Sequence, residues 1–184
     1  YILGPAIRRF LDAPDHQLQF LVDNTAALLH RLEQGELDFV VLEGVFNKAR
    51  YDSFLLRNEP YIGICPPGHP LDGQTISPEA LLGQRLILRE EGSGTRDLLE
   101  RALAQCSYTV EAFSGTVCVS SFKVIRDLVC AGYGISFVYA AVAADLPAPG
   151  RFFCPPLTGS HELNAVWLKG TDAGALARAF VAGL

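Results

Sequence analysis

Apolar residues recur along this chain in two alternating patterns, one with the period of a helix and one typical of a buried strand. Helix-like stretches lie at 6–13, 24–35, 78–82, 94–106, 121–132 and 173–183. Strand-like stretches lie at 17–22, 37–42, 54–56, 61–65, 85–89, 116–119, 134–139, 151–154 and 162–170. Regular alternation of the two kinds predicts an α/β fold with a largely parallel sheet.

Two of these stretches resemble each other. Residues 24–35 and 121–132 each begin with a polar cap, continue as an amphipathic helix and end at a glycine that precedes an apolar strand. The repetition suggests two similar Rossmann-like halves. We predict that the chain crosses between them at "CPPGHPL" (65–71) and "FFCPPL" (152–157), where prolines keep the backbone extended. His69 has no second ligand at metal spacing and is interpreted as a turn histidine.

Composition narrows the class of protein. With 49% hydrophobic and 19% charged residues the chain is typical of a folded domain. A net charge of -5 without a Lys/Arg cluster argues against nucleic-acid contact by this segment. We find neither an apolar run of the ~20 residues that a membrane span needs nor a signal peptide. The expected location is therefore the cytoplasm, without membrane contact.

The cysteines fit a reducing compartment. Five cysteines form neither a CxxC pair nor an even disulfide framework. Cys65, Cys118, Cys130 and Cys154 have apolar neighbours, so we predict that they are small buried hydrophobes.

Candidate ligand-binding residues lie where strands end and helices begin, which is where doubly wound sheets bind ligands. The turn "EEGSGTR" follows one strand and opens a helix, so its backbone N–H groups and the helix dipole favour an anion. It supplies two glycines, two hydroxyls and a guanidinium that can clasp a carboxylate: Gly92, Ser93, Gly94, Thr95 and Arg96. The alternative is a plain helix cap with a surface arginine.

Two further pairs open helices, namely Ser120 with Ser121 and Asn24 with Thr25. One member of each pair is expected to cap its helix, which leaves the other side chain available to a ligand. Catalytic or metal motifs are not recognisable: there is no HExxH, P-loop or GxSxG sequence, and the four histidines are scattered. We therefore expect no enzyme activity, no metal and no cofactor.

Four phrases together carry a family resemblance. "LHRLEQGELDFVVLEG", "EPYIGICPPGHPL", "LILREEGSGTRDLLERAL" and "IRDLVCAGYGISFVY" closely resemble the effector-binding domain of LysR-type transcriptional regulators. The resemblance implies two lobes like those of type 2 periplasmic binding proteins, joined by two crossover strands, with a small-molecule cleft between them. Lobe I would comprise 1–64 and 155–184, and lobe II would comprise 65–154.

The resemblance also implies partners and a site. Such a domain would sense a small, here anionic, effector, form a homodimer or a dimer of dimers, and reach DNA only through a winged helix-turn-helix domain that is absent from this chain. It places Ser93 and Thr95 toward the effector. The family usually has Leu-Pro where this chain has Val138 and Tyr139, so Tyr139 is a candidate to narrow the cleft or bind the ligand. A periplasmic solute-binding protein, which shares the fold, is the alternative.

Overall fold

The computed structural model describes residues 2–13, 15–43, 46–144 and 148–182. Its α-helices are α1 (Gly4–Leu11), α2 (Thr25–Glu33), α3 (Gly94–Gln105), α4 (Phe122–Cys130) and α5 (Ala173–Val181). Its strands are β1 (Val40–Glu43), β2 (Tyr51–Cys65), β3 (Arg85–Leu88), β4 (Gly115–Cys118), β5 (Ser136–Tyr139), β6 (Gly150–Phe152) and β7 (Gly159–Leu168). Three short 3-10 turns complete the described elements, at Pro78–Leu81, Val110–Ala112 and Val142–Ala144.

The chain forms two compact units, one made of residues 1–58 with 162–184 and the other of residues 59–161. We call them unit 1 and unit 2. The buried core of unit 1 has two clusters, one around Leu42 and Val166 and one where Ala6 of α1 meets Phe180 of α5. In unit 2, one cluster surrounds Phe152, and a second joins β3 and β5 to α4. Each unit therefore buries apolar surface of its own.

The ladders correct the expected strand directions. β3 and β4 are parallel, as predicted. However, β1 pairs with β7, and β2 pairs with both β5 and β6, in antiparallel ladders. The expectation of a largely parallel sheet is wrong for these pairs, because both long strands, β2 and β7, take antiparallel partners. Alternation of helices and strands does not specify how these long strands pair.

Both crossings lie inside long strands. The chain leaves unit 1 between Asn58 and Glu59, within β2, and returns between His161 and Glu162, within β7. Both Cys-Pro-Pro segments, which we predicted as crossings, instead belong to unit 2. The prolines mark where a strand ends, whereas a strand that passes from one core to another has no such marker. His69 does lie in a turn, where its Nδ1 accepts a hydrogen bond from the Leu71 N–H at 3.3 Å.

Two strand predictions differ from the structure. Residues 54–56 and 61–65 are parts of the single strand β2, although Pro60 lies between them. Residues 17–22 form no strand within the described chain, and Val22 is 85% exposed there. The apolar pattern of this segment is suited to a strand, but a strand also needs a neighbour that accepts its backbone hydrogen bonds.

The two similar helices form as predicted. Asn24 accepts a hydrogen bond from the Ala27 N–H at 2.9 Å and caps α2, and Ser121 accepts one from the Val124 N–H at 3.4 Å and caps α4. Each helix then ends at the expected glycine: the N–H groups of Gly35 and Gly132 donate back to the last turn at 3.1 Å and 2.9 Å. The prediction that one member of each polar pair caps its helix is confirmed.

The cysteines divide between core and surface. Cys65 and Cys154 are buried as predicted, and Cys130 is partly buried. Cys118 is exposed, so the prediction is wrong there. β4 exposes Thr116 and Cys118 and partly buries Gly115 and Val117, because successive residues of a strand point to opposite faces.

Candidate functional site

Two helix N-termini lie at one edge of unit 2. β3 leads through a turn into α3, and β4 leads through Val119–Ser121 into α4. Because β3 and β4 are parallel, both turns leave from the same edge of the ladder. The Val119 N–H donates to the Leu88 carbonyl at 2.9 Å, which holds the two turns together. We call this the α3–α4 edge.

The turn before α3 has the backbone that the sequence predicted. Gly92 has a φ of 83°, a left-handed conformation that favours glycine. Ser93 is the N-cap of α3, and Gly94 and Thr95 form its first turn. Ser93 and Thr95 are buried, at 1% and 2% exposure. Polar side chains are thus enclosed at the positive end of a helix dipole.

Ser93 differs from the other two polar caps. Within the described residues its side chain makes no capping hydrogen bond, whereas Asn24 caps α2 and Ser121 caps α4. Its hydroxyl is therefore not committed to capping the helix that it precedes. Ser120, next to the capping Ser121, is exposed at the start of α4.

Arg96 is engaged along the side of α3. Its Nε donates to the Glu100 carboxylate at 2.6 Å, and its Nη2 lies 3.7 Å from Glu91. The hydrogen bond to Glu100 raises the pKa of the guanidinium. Glu100 follows Arg96 by one helical turn, a spacing that favours such a pair. The guanidinium that we predicted to clasp a carboxylate already holds one from its own chain.

Arg89 is a charged residue of this edge that the sequence analysis did not single out. Its guanidinium lies 4.3 Å from the centre of the Phe122 ring, at the start of α4. It also makes two hydrogen bonds to the Glu90 carboxylate, at 2.8 Å and 2.9 Å. The sequence marks it only as the polar end of the strand "RLILR", and its contact with Phe122 requires β3 and β4 to be side by side.

Tyr139 lies in the core of unit 2 at the end of β5. It is 5% exposed and is paired with Tyr61 in the β2–β5 ladder, with the ring centres 5.4 Å apart. The Tyr61 hydroxyl donates to the carbonyl of Thr95 at 3.1 Å. The His161 ring lies 5.6 Å from that of Tyr61, and burial lowers the pKa of this imidazole. Sequence reasoning missed Tyr61 and His161, since neither belongs to a polar motif.

The predicted residues therefore divide between the two units. Asn24 and Thr25 belong to unit 1, where Asn24 is occupied as a cap and Thr25 is partly buried. The remaining eight belong to unit 2. Of these, Gly92–Arg96 and the two serines lie at the α3–α4 edge, and Tyr139 is connected to it through Tyr61.

In the parts of the chain that the structure describes, no group of three or more His, Cys, Asp or Glu side chains is arranged to hold a metal ion. Among the same residues, no helix is both long and apolar enough to span a membrane.

Two solved regulatory domains share the fold of this chain. The CcmR regulatory domain of Synechocystis PCC6803, in complex with 2-PG, matches with a TM-score of 0.84 at 19% identity, covering 96% of this chain and 86% of that one. The effector-binding domain of QuiR, in complex with shikimate, matches with a TM-score of 0.79 at 17% identity, covering 98% and 88%. These likenesses confirm the predicted class, an α/β domain of the type 2 periplasmic-binding-protein kind.

The sequence comparisons give the family. The model of the LysR substrate binding domain matches residues 1–184, so the chain belongs to this family, as its resemblance predicted. The regulator CbbR of Sinorhizobium medicae (strain WSM419) is 30% identical over 142 residues, which are 76% of this chain and 45% of that regulator. The chain thus matches less than half the length of this relative.

Proposed function

We propose that this chain is the effector-sensing domain of a LysR-type transcriptional regulator and that it binds a small anion at the α3–α4 edge. The observation that carries the proposal is the turn before α3, where Ser93 and Thr95 are buried at a helix N-terminus and the Ser93 side chain makes no cap within the described residues. Backbone N–H groups and hydroxyls at such a position are suited to an oxyanion.

The comparisons support regulation over other uses of the fold. The curated relatives are named as transcriptional regulators, which favours sensing over solute transport or catalysis. Two regulatory domains of the same fold are in complex with small molecules, 2-PG and shikimate. Shikimate is a carboxylate, so an anionic ligand is compatible with this fold.

Local charges indicate which groups bind the anion. Arg96 is paired with Glu100, and Arg89 is paired with Glu90. The negative charges of these carboxylates offset the positive charges of the arginines, so the guanidiniums add little net attraction for an anion at the α3–α4 edge. We therefore assign the main hydrogen bonds to Ser93, Gly94 and Thr95, with Ser120 as a further donor. Roles for Asn24, Thr25 and Tyr139 in binding stay predictions.

Burial of the hydroxyls suggests how binding becomes a signal. An anion that hydrogen-bonds to Ser93 and Thr95 must select a conformation in which these nearly enclosed side chains are accessible. A ligand shifts an equilibrium only by its difference in affinity for the two states. Binding would thus increase the population of the accessible conformation and change what the regulator presents to DNA. Homodimer formation and DNA contact through a helix-turn-helix domain stay predictions.

The substitution Thr95→Val tests the site. Valine keeps the size of threonine and removes its hydroxyl. Because a hydrogen bond to a charged group contributes about 1.5–3 kcal/mol, we expect affinity for the anion to fall roughly ten- to a hundredfold. The measurement is calorimetric titration of both proteins with inorganic phosphate, sulfate and a panel of carboxylates that includes shikimate.

Thr75→Val is the matched control, since Thr75 is an exposed threonine of unit 2 beside Phe153. It should bind like the unaltered protein. Equal affinities for Thr95→Val and the unaltered protein, or binding of neutral apolar compounds alone, would contradict the anion site.

A second prediction concerns DNA. The 184-residue chain by itself is expected not to bind DNA sequence-specifically. Its net charge of -5 repels the phosphates, and it has no Lys/Arg cluster that could neutralise them and release their counterions. A gel shift at physiological salt, with specific and scrambled duplexes, measures this. If the chain retards the specific duplex and not the scrambled one, the proposal that this chain senses the effector while another domain contacts DNA is contradicted.

A further inference from the structure

One buried tyrosine touches the proposed anion site and both segments in which the chain crosses between units. Tyr61 is 1% exposed and lies in β2, just after this strand enters unit 2 at Glu59. Its hydroxyl donates to the Thr95 carbonyl at 3.1 Å. Its ring meets that of His161, the last residue of unit 2 before the second crossing, with 5.6 Å between centres.

The surroundings of Tyr61 restrict its movement. Its ring also packs against Phe137 and Tyr139 of β5, at 6.3 Å and 5.4 Å. The two residues just before it are also held: the Ala140 N–H donates to the Pro60 carbonyl at 2.8 Å, and the Ala141 N–H donates to the Glu59 carboxylate at 3.2 Å. A side chain enclosed in this way cannot follow a shift of α3 without moving its own strand or breaking its hydrogen bond.

Resting on the proposed function, we propose that Tyr61 is a positioning residue that couples the first turn of α3 to the two crossing segments, 59–65 and 159–163. An anion that changes the accessibility of Ser93 and Thr95 moves the carbonyl to which Tyr61 is bonded. Tyr61 passes this movement to its own strand and, through ring contact, to His161. The route is a continuous set of contacts, which is one way in which coupling between distant positions is carried.

Tyr61→Phe tests the coupling because it removes only the hydroxyl and leaves the ring contacts. We expect the affinity for the anion to fall roughly three- to tenfold, the effect of one neutral hydrogen bond. Hydrogen exchange followed by NMR is the second readout. In the unaltered protein, saturating phosphate or the best carboxylate should protect amides in 59–65 and 159–163, and this protection should disappear in Tyr61→Phe.

The matched control is Tyr108→Phe. The Tyr108 hydroxyl donates to Glu79 at 3.2 Å in the same unit, on an exposed surface. Removing it should leave both anion affinity and ligand-induced protection as they are in the unaltered protein, so a loss specific to Tyr61→Phe is not a general effect of losing a tyrosine hydroxyl.

Several outcomes separate this proposal from the proposed function. If Tyr61→Phe behaves like Tyr108→Phe while Thr95→Val loses affinity, the coupling is overturned and the anion site stands. If Tyr61→Phe binds more weakly but keeps the protection of both crossing segments, the coupling is likewise overturned. If no anion binds, the proposed function fails. The coupling through Tyr61 is then tested by hydrogen exchange of the two proteins without ligand. The amides of both 94–97 and 159–163 should then exchange faster in Tyr61→Phe than in the unaltered protein. Faster exchange in only one of these regions would overturn the coupling.

Discussion

Phe152→Ala is expected to lower the free energy of unfolding by about 3–5 kcal/mol, the usual cost of removing a fully buried aromatic side chain. Phe152 is 0% exposed at the end of β6. Its ring packs edge-on against Phe137, with 5.6 Å between the centres, and fills the space beside Gly63, where a Cβ would overlap it. Alanine would leave a cavity between β2, β5 and β6 that these strands cannot close.

Denaturant unfolding followed by circular dichroism measures this loss, and the neighbouring residue is the control. Phe153 is 51% exposed, so Phe153→Ala should change the free energy of unfolding by less than about 1 kcal/mol. If Phe152→Ala does not fold, Phe152→Leu should fold with a smaller loss, about 1 kcal/mol. Equal losses for the two alanine variants would show that the core of unit 2 is packed differently.

The cysteine thiols are expected to differ by about two orders of magnitude in alkylation rate. Burial raises the pKa of Cys65 to about 11, with help from the Asp72 carboxylate, and burial raises that of Cys154 to about 11 as well. Only the thiolate reacts, so at pH 8 a shift of this size reduces its fraction roughly a hundredfold. Because both thiols are buried, the reagent also has little access to them, which lowers their alkylation rates further.

Timed alkylation with iodoacetamide and mass spectrometry of the peptides measures these rates. Cys118, which is exposed, should be modified first, and in urea all five thiols should react alike. The folded state holds the protons of Cys65 and Cys154 more tightly than the unfolded state does. Their contribution to stability is therefore present below the ordinary thiol pKa and is lost as pH rises toward 11. Rapid native labelling of Cys65 or Cys154 would contradict the described core.

Helix ends were predictable because their interactions are local. The caps Asn24 and Ser121 bond to amides three residues further on, and Gly35 and Gly132 close the same helices within a turn. Such contacts form whenever the helix forms, whatever surrounds it. The pair between Arg96 and Glu100 is equally local, at one helical turn, but the sequence analysis assigned Arg96 to a ligand and did not predict this pair.

Strand partners were less predictable because they come from distant parts of the chain. Residues 17–22 and β1 are both short, mainly apolar stretches in the sequence, yet of these two only β1 has a ladder within the described residues, with β7. For the same reason "RFFC" does not reveal which phenylalanine points inward. Phe152 is enclosed by β2 and β5, whereas Phe153 lies outside β6 and is exposed.

For the site, sequence by itself determined the family, the α/β class and the turn 92–96 at a helix N-terminus, since each depends on residue types at short spacing. Only the tertiary structure decided that the turns before α3 and α4 share one edge, that Arg89 meets Phe122, and that Tyr61 joins Thr95 to His161. Tyr61 and Thr95 are 34 positions apart. Their contact exists because hydrogen bonding and burial bring strand β2 against the first turn of the remote helix α3, which no local pattern specifies.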